Sequence, residues 1–337
     1  MPEKLIAQFE RLIRRDPARR GLISSEAEHG PLCGGHLLNA AKHLAQHATH
    51  VGIVTGFYIP QGTPPAAETD GPLGAFLLAQ AFQLAGIETC VITDEYCASA
   101  VRQTANAVDY PEENLLSYPQ ANDRWIPEFF TGGPGKQITH LISVERVGPS
   151  HTPESLRNQE RNTAPPLNQF ADLVPESSHN RCHNMRGEII DEQTADMHRL
   201  FEELPAHHPN AKTIGIGDGG NEIGMGSVPW EELHVRLTSE QAHKIPCRIS
   251  TDWNIIAGTS NWGAYALAAA TLLLKGQTKK LKLFNSSQQL QVLKHLVEYG
   301  PAVDGVTRRQ EATVDGLPFL TYIQPWEGIR RLLELGD

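Results

Sequence analysis

The chain has 337 residues, 40% of them apolar and 20% charged, the balance of a folded protein with an ample core, which excludes disorder for most of its length. Its 39 acidic and 29 basic side chains leave a net charge of −10, a surface that repels polyphosphate backbones and anionic membranes, so neither nucleic acid nor membrane is an expected partner. The five cysteines have no paired spacing, the run Ala264 to Leu274 is too short to cross a bilayer, and the N-terminal arginines are mixed with acids, so a cytoplasmic protein without a transit peptide is expected.

Leu5, Phe9, Leu12 and Ile13 recur at helical spacing and predict a helix over 2–15, stopped by Asp16-Pro17. Arg11, Arg14, Arg15, Arg19 and Arg20 read as a charged surface around it. His36 to His47 reads as a second helix and His50 to Thr55 as a β-branched strand. After the Gly/Pro-rich loop Gly56 to Gly71, Pro72 opens a helix to about Ala85, Gly86 stops it, and Glu88 to Thr93 is the next strand. Strand, loop, helix, strand is a βαβ unit and implies parallel pairing. Further strands are expected at His140 to Val144, Lys212 to Ile216 and Arg248 to Thr251, and an apolar helix at Asn261 to Lys275. Residues 146–192 have little periodicity and read as a long irregular flap over the active site. The expected fold is α/β, a mostly parallel sheet flanked by helices in one domain over 1–337. Ligands bind beyond the carboxyl ends of such strands, which makes Thr55, Glu145, Asp218 and Asp252 expected neighbours.

The sharpest motif is GIGDGGNEIGMG, 215–226. Its glycines permit positive φ and close approach of a ligand, and consecutive N–H groups there form an anion-binding concavity. Asp218 and Glu222 in the same loop oppose a bare phosphate and favour a zwitterion or a divalent cation. The loop is neither a P-loop nor a dinucleotide fingerprint, so no nucleotide cofactor is expected. Glu68-Thr69-Asp70-Gly71 precedes the Pro72 helix, which Thr69 or Asp70 is placed to cap. Arg186 in the flap offers a fork that fits a carboxylate. Ser260 or Asn261 is placed to cap the apolar helix, and Asp304-Gly305 and Asp315-Gly316 read as turns. His179, Cys182 and His183 have tolerable zinc spacing but no evident fourth ligand.

Together VTGF (54–57), ETDGPLGA (68–75), ER (145–146), MRGEI (185–189), GDGGNEIGMG (217–226), TD (251–252), SNWGAYAL (260–267) and VDGL (314–317) resemble the D-glutamate cyclase-like C-terminal domain family, in the same order across about 20–330. In animals that domain follows a further N-terminal region; in bacteria it often stands alone, and this chain is expected to be of that kind. The resemblance implies a hydro-lyase that converts D-glutamate to 5-oxo-D-proline and water. That chemistry needs a base for the α-amine, an acid for the leaving oxygen and a holder for the α-carboxylate. The expected acid–base residues are Asp218 and Glu222, then Glu145 and Asp252. Thr55, Gly56, Thr69, Asp70, Arg186, Gly219, Gly220, Asn221, Ser260 and Asn261 are expected to line the substrate, with the loop N–H groups facing the oxyanion. If a divalent cation such as Mg or Mn is used, Asp218, Glu222 and Asp252 are its expected ligands. Two alternatives stand beside this reading: a metal-assisted enzyme acting on another small anion, and an amino-acid-binding domain without turnover. The expected partner is a small amino acid, with self-association as a homo-oligomer left open.

Overall fold

In the computed structural model, which describes residues 2–120 and 122–336, six strands form one sheet. They are β1 (His50–Thr55), β2 (Glu88–Asp94), β3 (Leu115–Tyr118), β4 (His140–Val144), β5 (Lys212–Gly217) and β6 (Trp253–Ile256). Their order is β3-β2-β1-β4-β5-β6, and every neighbouring pair is parallel. The chain moves outward from β1 to β3, returns beside β1 as β4, and moves outward again to β6. The order therefore reverses between β1 and β4, where an open α/β sheet leaves a crevice at its carboxyl edge. Thr55 pairs with Val144 and Val144 with Ile216, so Gly56, Glu145 and Gly217 follow side by side at the carboxyl edge.

Helices α1 (Pro2–Ile13), α2 (His36–His47), α3 (Pro72–Leu84), α4 (Trp125–Thr131), α5 (Arg199–His207), α6 (Trp230–Arg236) and α7 (Ser260–Leu274) flank the sheet. Successive strand residues point to opposite faces, which gives two cores. Val51, Ile53, Ile142, Val144, Ile214 and Ile216 pack with α1, α2, α3 and α7. Val54, Ile92, Leu141 and Ile256 pack with α4, α5 and α6. Helix α7 is apolar all round because it is buried all round.

Two expectations need correction. Arg248–Thr251 is not a strand. Its backbone is engaged by the glycine loop, with the N–H groups of Gly224 and Gly226 donating to the Ile249 carbonyl at 2.9 and 3.1 Å. The strand begins at Trp253 instead, so Asp252 precedes β6 and lies at the amino edge of the sheet. The flap is also more ordered than its composition suggests. It contains the helices Pro153–Asn158 and Leu167–Leu173, the first started by a reciprocal Thr152/Ser155 capping box. Leu156, Phe170 and Val174 pin it to Trp230, and Cys182 and Ile190 pin it to Phe57 and Ile59.

Candidate active site

A cleft of about 450 Å³ opens at the point where the strand order reverses. Glu68, Glu145 and Asn221 line its inner part, and the flap contributes Asn184, Met185 and Arg186. Thr55 ends β1 fully buried, and its hydroxyl has no hydrogen-bond partner. A Cβ added at Gly71 would lie 2.9 Å from the Thr55 hydroxyl and 3.0 Å from the Glu145 Cβ, which shows how tightly the three segments converge.

Two helices start at this edge, and each is capped by a residue from the other's segment. Asp70, in the turn before α3, accepts from the backbone N–H groups of Ser260 and Asn261 at 2.8 and 2.9 Å. Asn261 in turn accepts from Gly71 and Gly74 at 3.0 and 2.6 Å. The expected local caps are corrected accordingly: Asp70 caps α7, Asn261 caps α3, and the residue that caps α7 locally is Thr259. Both N-terminal dipoles point at the acids, where they favour negative charge. Thr69 is structural, donating from its N–H to Val303 and from its hydroxyl to Thr313. Ser260 donates its hydroxyl to Glu145.

The glycine loop is closed by its own acid. Glu222, fully buried, accepts from the N–H groups of Asp218, Gly219 and Gly220 at 3.0, 2.5 and 2.7 Å. Those three donors, expected to face an oxyanion, are therefore already engaged. Gly220 has φ +96, a conformation that other residues adopt only with strain. Asn221 lines the cleft and donates to the His183 carbonyl at 2.8 Å. Gly56, at φ +112, presents its carbonyl to Arg146, which also pairs with Asp94 at 2.7 Å.

Arg20 and Asp315 are not among the residues expected in the site, whereas Glu68 comes from a segment whose motif the sequence singles out. Pro17 stops α1 well before Arg20, which frees that side chain from the helix surface assigned to it, and its guanidinium pairs with Asp218 and, at 2.7 Å, with Asp315. The signal that could have found it is this helix stop followed by Arg-Arg-Gly. Asp315 lies in the expected turn, at φ +53, yet faces inward, whereas Asp304 is spent on the N–H groups of Val306, Thr307 and Gly316.

Six carboxyl groups (Glu68, Asp70, Glu145, Asp218, Glu222 and Asp315) thus gather around one guanidinium. Burial raises the Glu145 pKa well above the usual carboxylate range, and Glu222, Glu68 and Asp70 raise it further. Burial likewise holds Asp218 high despite the opposing pull of Arg20, and holds Glu68 high with help from Asp315 and Asp70. Asp70 is pushed up to about 8 by burial and by Asp315, against the two helix N–H bonds. Asp218 Oδ1 has no partner, and Oδ2 meets the Arg20 guanidinium. Such a cluster holds protons at neutral pH, or it holds a cation.

Asp70, Glu145 and Asp218 each offer a carboxylate oxygen, all within 4.8 Å of one another, a donor set that a hard divalent cation accepts. The metal ligands expected from the sequence are corrected on this point. Asp218 belongs to the triad, but Glu222 is committed to the loop and Asp252 is remote, bonded to Lys212 and to the backbone N–H of Thr213 at 2.7 and 2.8 Å. Of the four acids expected to be neighbours or to act as acid and base, Asp252 alone lies outside the site. Arg186 is exposed and reaches only the mouth of the cleft.

A family model described as D-glutamate cyclase-like, C-terminal matches residues 9–177 and 172–330. The human protein named D-glutamate cyclase, mitochondrial, is 28% identical over 280 residues, which cover 80% of this chain and 39% of the human one. The chain thus corresponds to about two fifths of that relative's length.

Proposed function

Because the chain belongs to the D-glutamate cyclase-like C-terminal family, we propose that it is a carbon–oxygen hydro-lyase that converts D-glutamate to 5-oxo-D-proline and water. The observation that carries this reading is the buried acid cluster, rich in protons, at the base of a cleft whose mouth carries arginines. Such a cleft suits a zwitterion with its ammonium inward. A carboxyl group drawn toward its ionised form by a neighbouring cation, best supplied by Asp218 beside Arg20, takes a proton from the ammonium. The nitrogen lone pair then attacks the carbon of the protonated δ-carboxyl group, and the C=O pair moves onto oxygen, which leaves an oxyanion and a hydroxyl on that carbon. When that intermediate collapses, a protonated acid, best supplied by Glu145, gives its proton to the hydroxyl, which leaves as water while the C=O re-forms, and the Glu145 carboxylate then takes the second proton from the ring nitrogen. Arg186 at the mouth meets a carboxylate as the ligand enters. Thr55 offers the ligand a hydroxyl that the protein itself does not use.

The acid triad supports a second reading, in which the reaction is metal-assisted. A divalent cation held by Asp70, Glu145 and Asp218 would supply Lewis-acid polarisation of a carboxyl oxygen. One experiment separates these readings. Purified protein is incubated with D-glutamate, with and without EDTA, and 5-oxoproline is followed by chiral chromatography. Turnover that survives EDTA supports the metal-free cyclase, and turnover lost to EDTA and restored by Mg or Mn supports the metal-assisted one. Binding without product leaves an amino-acid-binding domain. A cytoplasmic location is supported by five free cysteines, four of them buried. Among the described residues no helix is long and apolar enough to cross a membrane.

A further inference from the structure

An α-amino acid carries its ammonium and its α-carboxylate on the same carbon. A pocket that binds one must therefore present an anion and a cation side by side. Four arginines line the cleft: Arg19, Arg20, Arg186 and Arg308. Among the described residues, Arg20 is the one of these that pairs with the acids at its base, contacting Asp218 and Asp315 while also lining the cleft beside Glu68 and Glu145.

The backbone that delivers Arg20 is held from two sides. The Asp16 carboxylate accepts from the N–H groups of Arg20 and Gly21, each at 2.8 Å. Thr238 donates its N–H to the Arg20 carbonyl at 3.0 Å and its hydroxyl to the Arg19 carbonyl at 2.7 Å. Arg19 and Gly21, on either side, both have positive φ, at 54 and 102. A turn clamped in this way presents a guanidinium at one place with little further entropy to lose. The side chain is 14% exposed, and the two ion pairs leave most of its five N–H donors free for another acceptor.

Resting on the amino-acid reading above, we propose that Arg20 is a specificity-determining anchor for the α-carboxylate of the ligand, placed so that the α-ammonium falls on the neighbouring acids. The cleft therefore selects α-amino acids over amines that carry only a distal carboxylate.

The test uses binding, measured by titration calorimetry on the whole chain, so it does not depend on turnover. D-Glutamate is compared with 4-aminobutyrate, which keeps the ammonium and the distal carboxylate and lacks the α-carboxylate. Wild-type protein should prefer D-glutamate. Arg20→Gln should weaken D-glutamate by about 10–100-fold, the loss of a charge-assisted bidentate contact, and leave 4-aminobutyrate unchanged or tighter. A purely structural arginine would move both ligands together. Arg20→Lys keeps the charge without the fork and should show a smaller fall in the same ratio; it carries the test if the Gln variant melts below the assay temperature. Wild-type protein that binds D-glutamate no better than 4-aminobutyrate, or an unchanged ratio in both variants, overturns the anchor. Wild-type protein that prefers D-glutamate but forms no 5-oxoproline overturns the cyclase reading and leaves the anchor standing.

Discussion

At the carboxyl edge of the sheet Asp218 follows β5, buried, with Oδ1 unpartnered, Oδ2 against Arg20 and its pKa held high. At the amino edge Asp252 precedes β6. Burial alone would raise its pKa, but Lys212 and Thr213 together bring it below the usual carboxylate range. Each edge has its own cleft, of about 450 Å³ beside Glu68 and Glu145 and about 410 Å³ at the other end, where His43, His47, His140, His207 and His208 are part of the lining. At the amino edge the Asp252 carboxylate meets Lys212 and Thr213 and His43 Nδ1 lies 2.8 Å from His140 Nε2, while His208 Nε2 has no partner. At the carboxyl edge Asp218, Glu68 and Thr55 all keep unpartnered buried oxygens. A buried polar group left without a partner is costly, so these oxygens are the ones a ligand or an ion in the cleft would satisfy.

The strongest way to break this comparison is to neutralise one acid at each edge. Asp218→Asn and Glu145→Gln should each lower 5-oxoproline formation by about 10²–10⁴-fold, the usual cost of losing a general acid or base. Asp252→Asn should leave turnover near normal and lower stability by roughly 1–2 kcal/mol through weakened hydrogen bonds to Lys212 and Thr213. Equal kinetic losses from Asp218→Asn and Asp252→Asn would erase the distinction between the edges.

Next in size is the loop acid. Glu222→Gln sets an NH₂ group against backbone donors that now point at two carboxylate oxygens. Chemical denaturation should show a loss of roughly 2–3 kcal/mol. Turnover lost at unchanged stability would instead assign Glu222 a chemical role.

Stability against pH separates the raised carboxyls from the buried histidines by sign. Carboxyls whose pKa is raised on folding stabilise the fold below their unfolded values near 4, and that contribution is lost as pH rises through the folded values, about 8 for Asp70. Buried histidines act oppositely. Burial lowers His140 and His151 to about 3 and His183 and His198 to about 4. The histidine contribution is complete above the unfolded value near 6.5 and is lost as pH falls toward those folded values. Thermal melts from pH 5 to 9 should therefore show His140→Gln softening the acid decline and Asp218→Asn softening the alkaline one. Variants that alter the opposite limbs would contradict the assignment.

The smallest effect sharpens the point about unpartnered groups. Thr55→Val removes a buried hydroxyl that has no partner, so stability should change by less than about 1 kcal/mol while KM for D-glutamate rises. A large loss of stability would reveal a structural partner for this hydroxyl.

Much of the frame is legible in local pattern. The β-branched runs at His50–Thr55 and His140–Val144, the glycine loop after Lys212–Gly217 and Pro72 at a helix start all point to a parallel sheet with a crevice at its carboxyl edge. Those signals are short-range, because strand periodicity and glycine or proline geometry act within a few residues. Arg248–Thr251 misled for the same reason: it has strand propensity, but its hydrogen bonds go to a loop more than twenty residues earlier in the chain.

Local pattern, then, is enough for the α/β frame and for the edge of the sheet at which the cleft opens. Which acids are free to work was decided only by tertiary structure. Asp70 finds its N–H donors 190 and 191 residues away, and Arg20 meets Asp315 across 295 residues. Glu222, in the loop beside Asp218, is satisfied by that loop's own N–H groups and Asp252 by Lys212 and Thr213, while Asp218 is left with Arg20. A carboxyl group's chemistry depends on burial and on its neighbours' charges and donors. Those neighbours arrive from distant parts of the chain only when the sheet and its helices close around it.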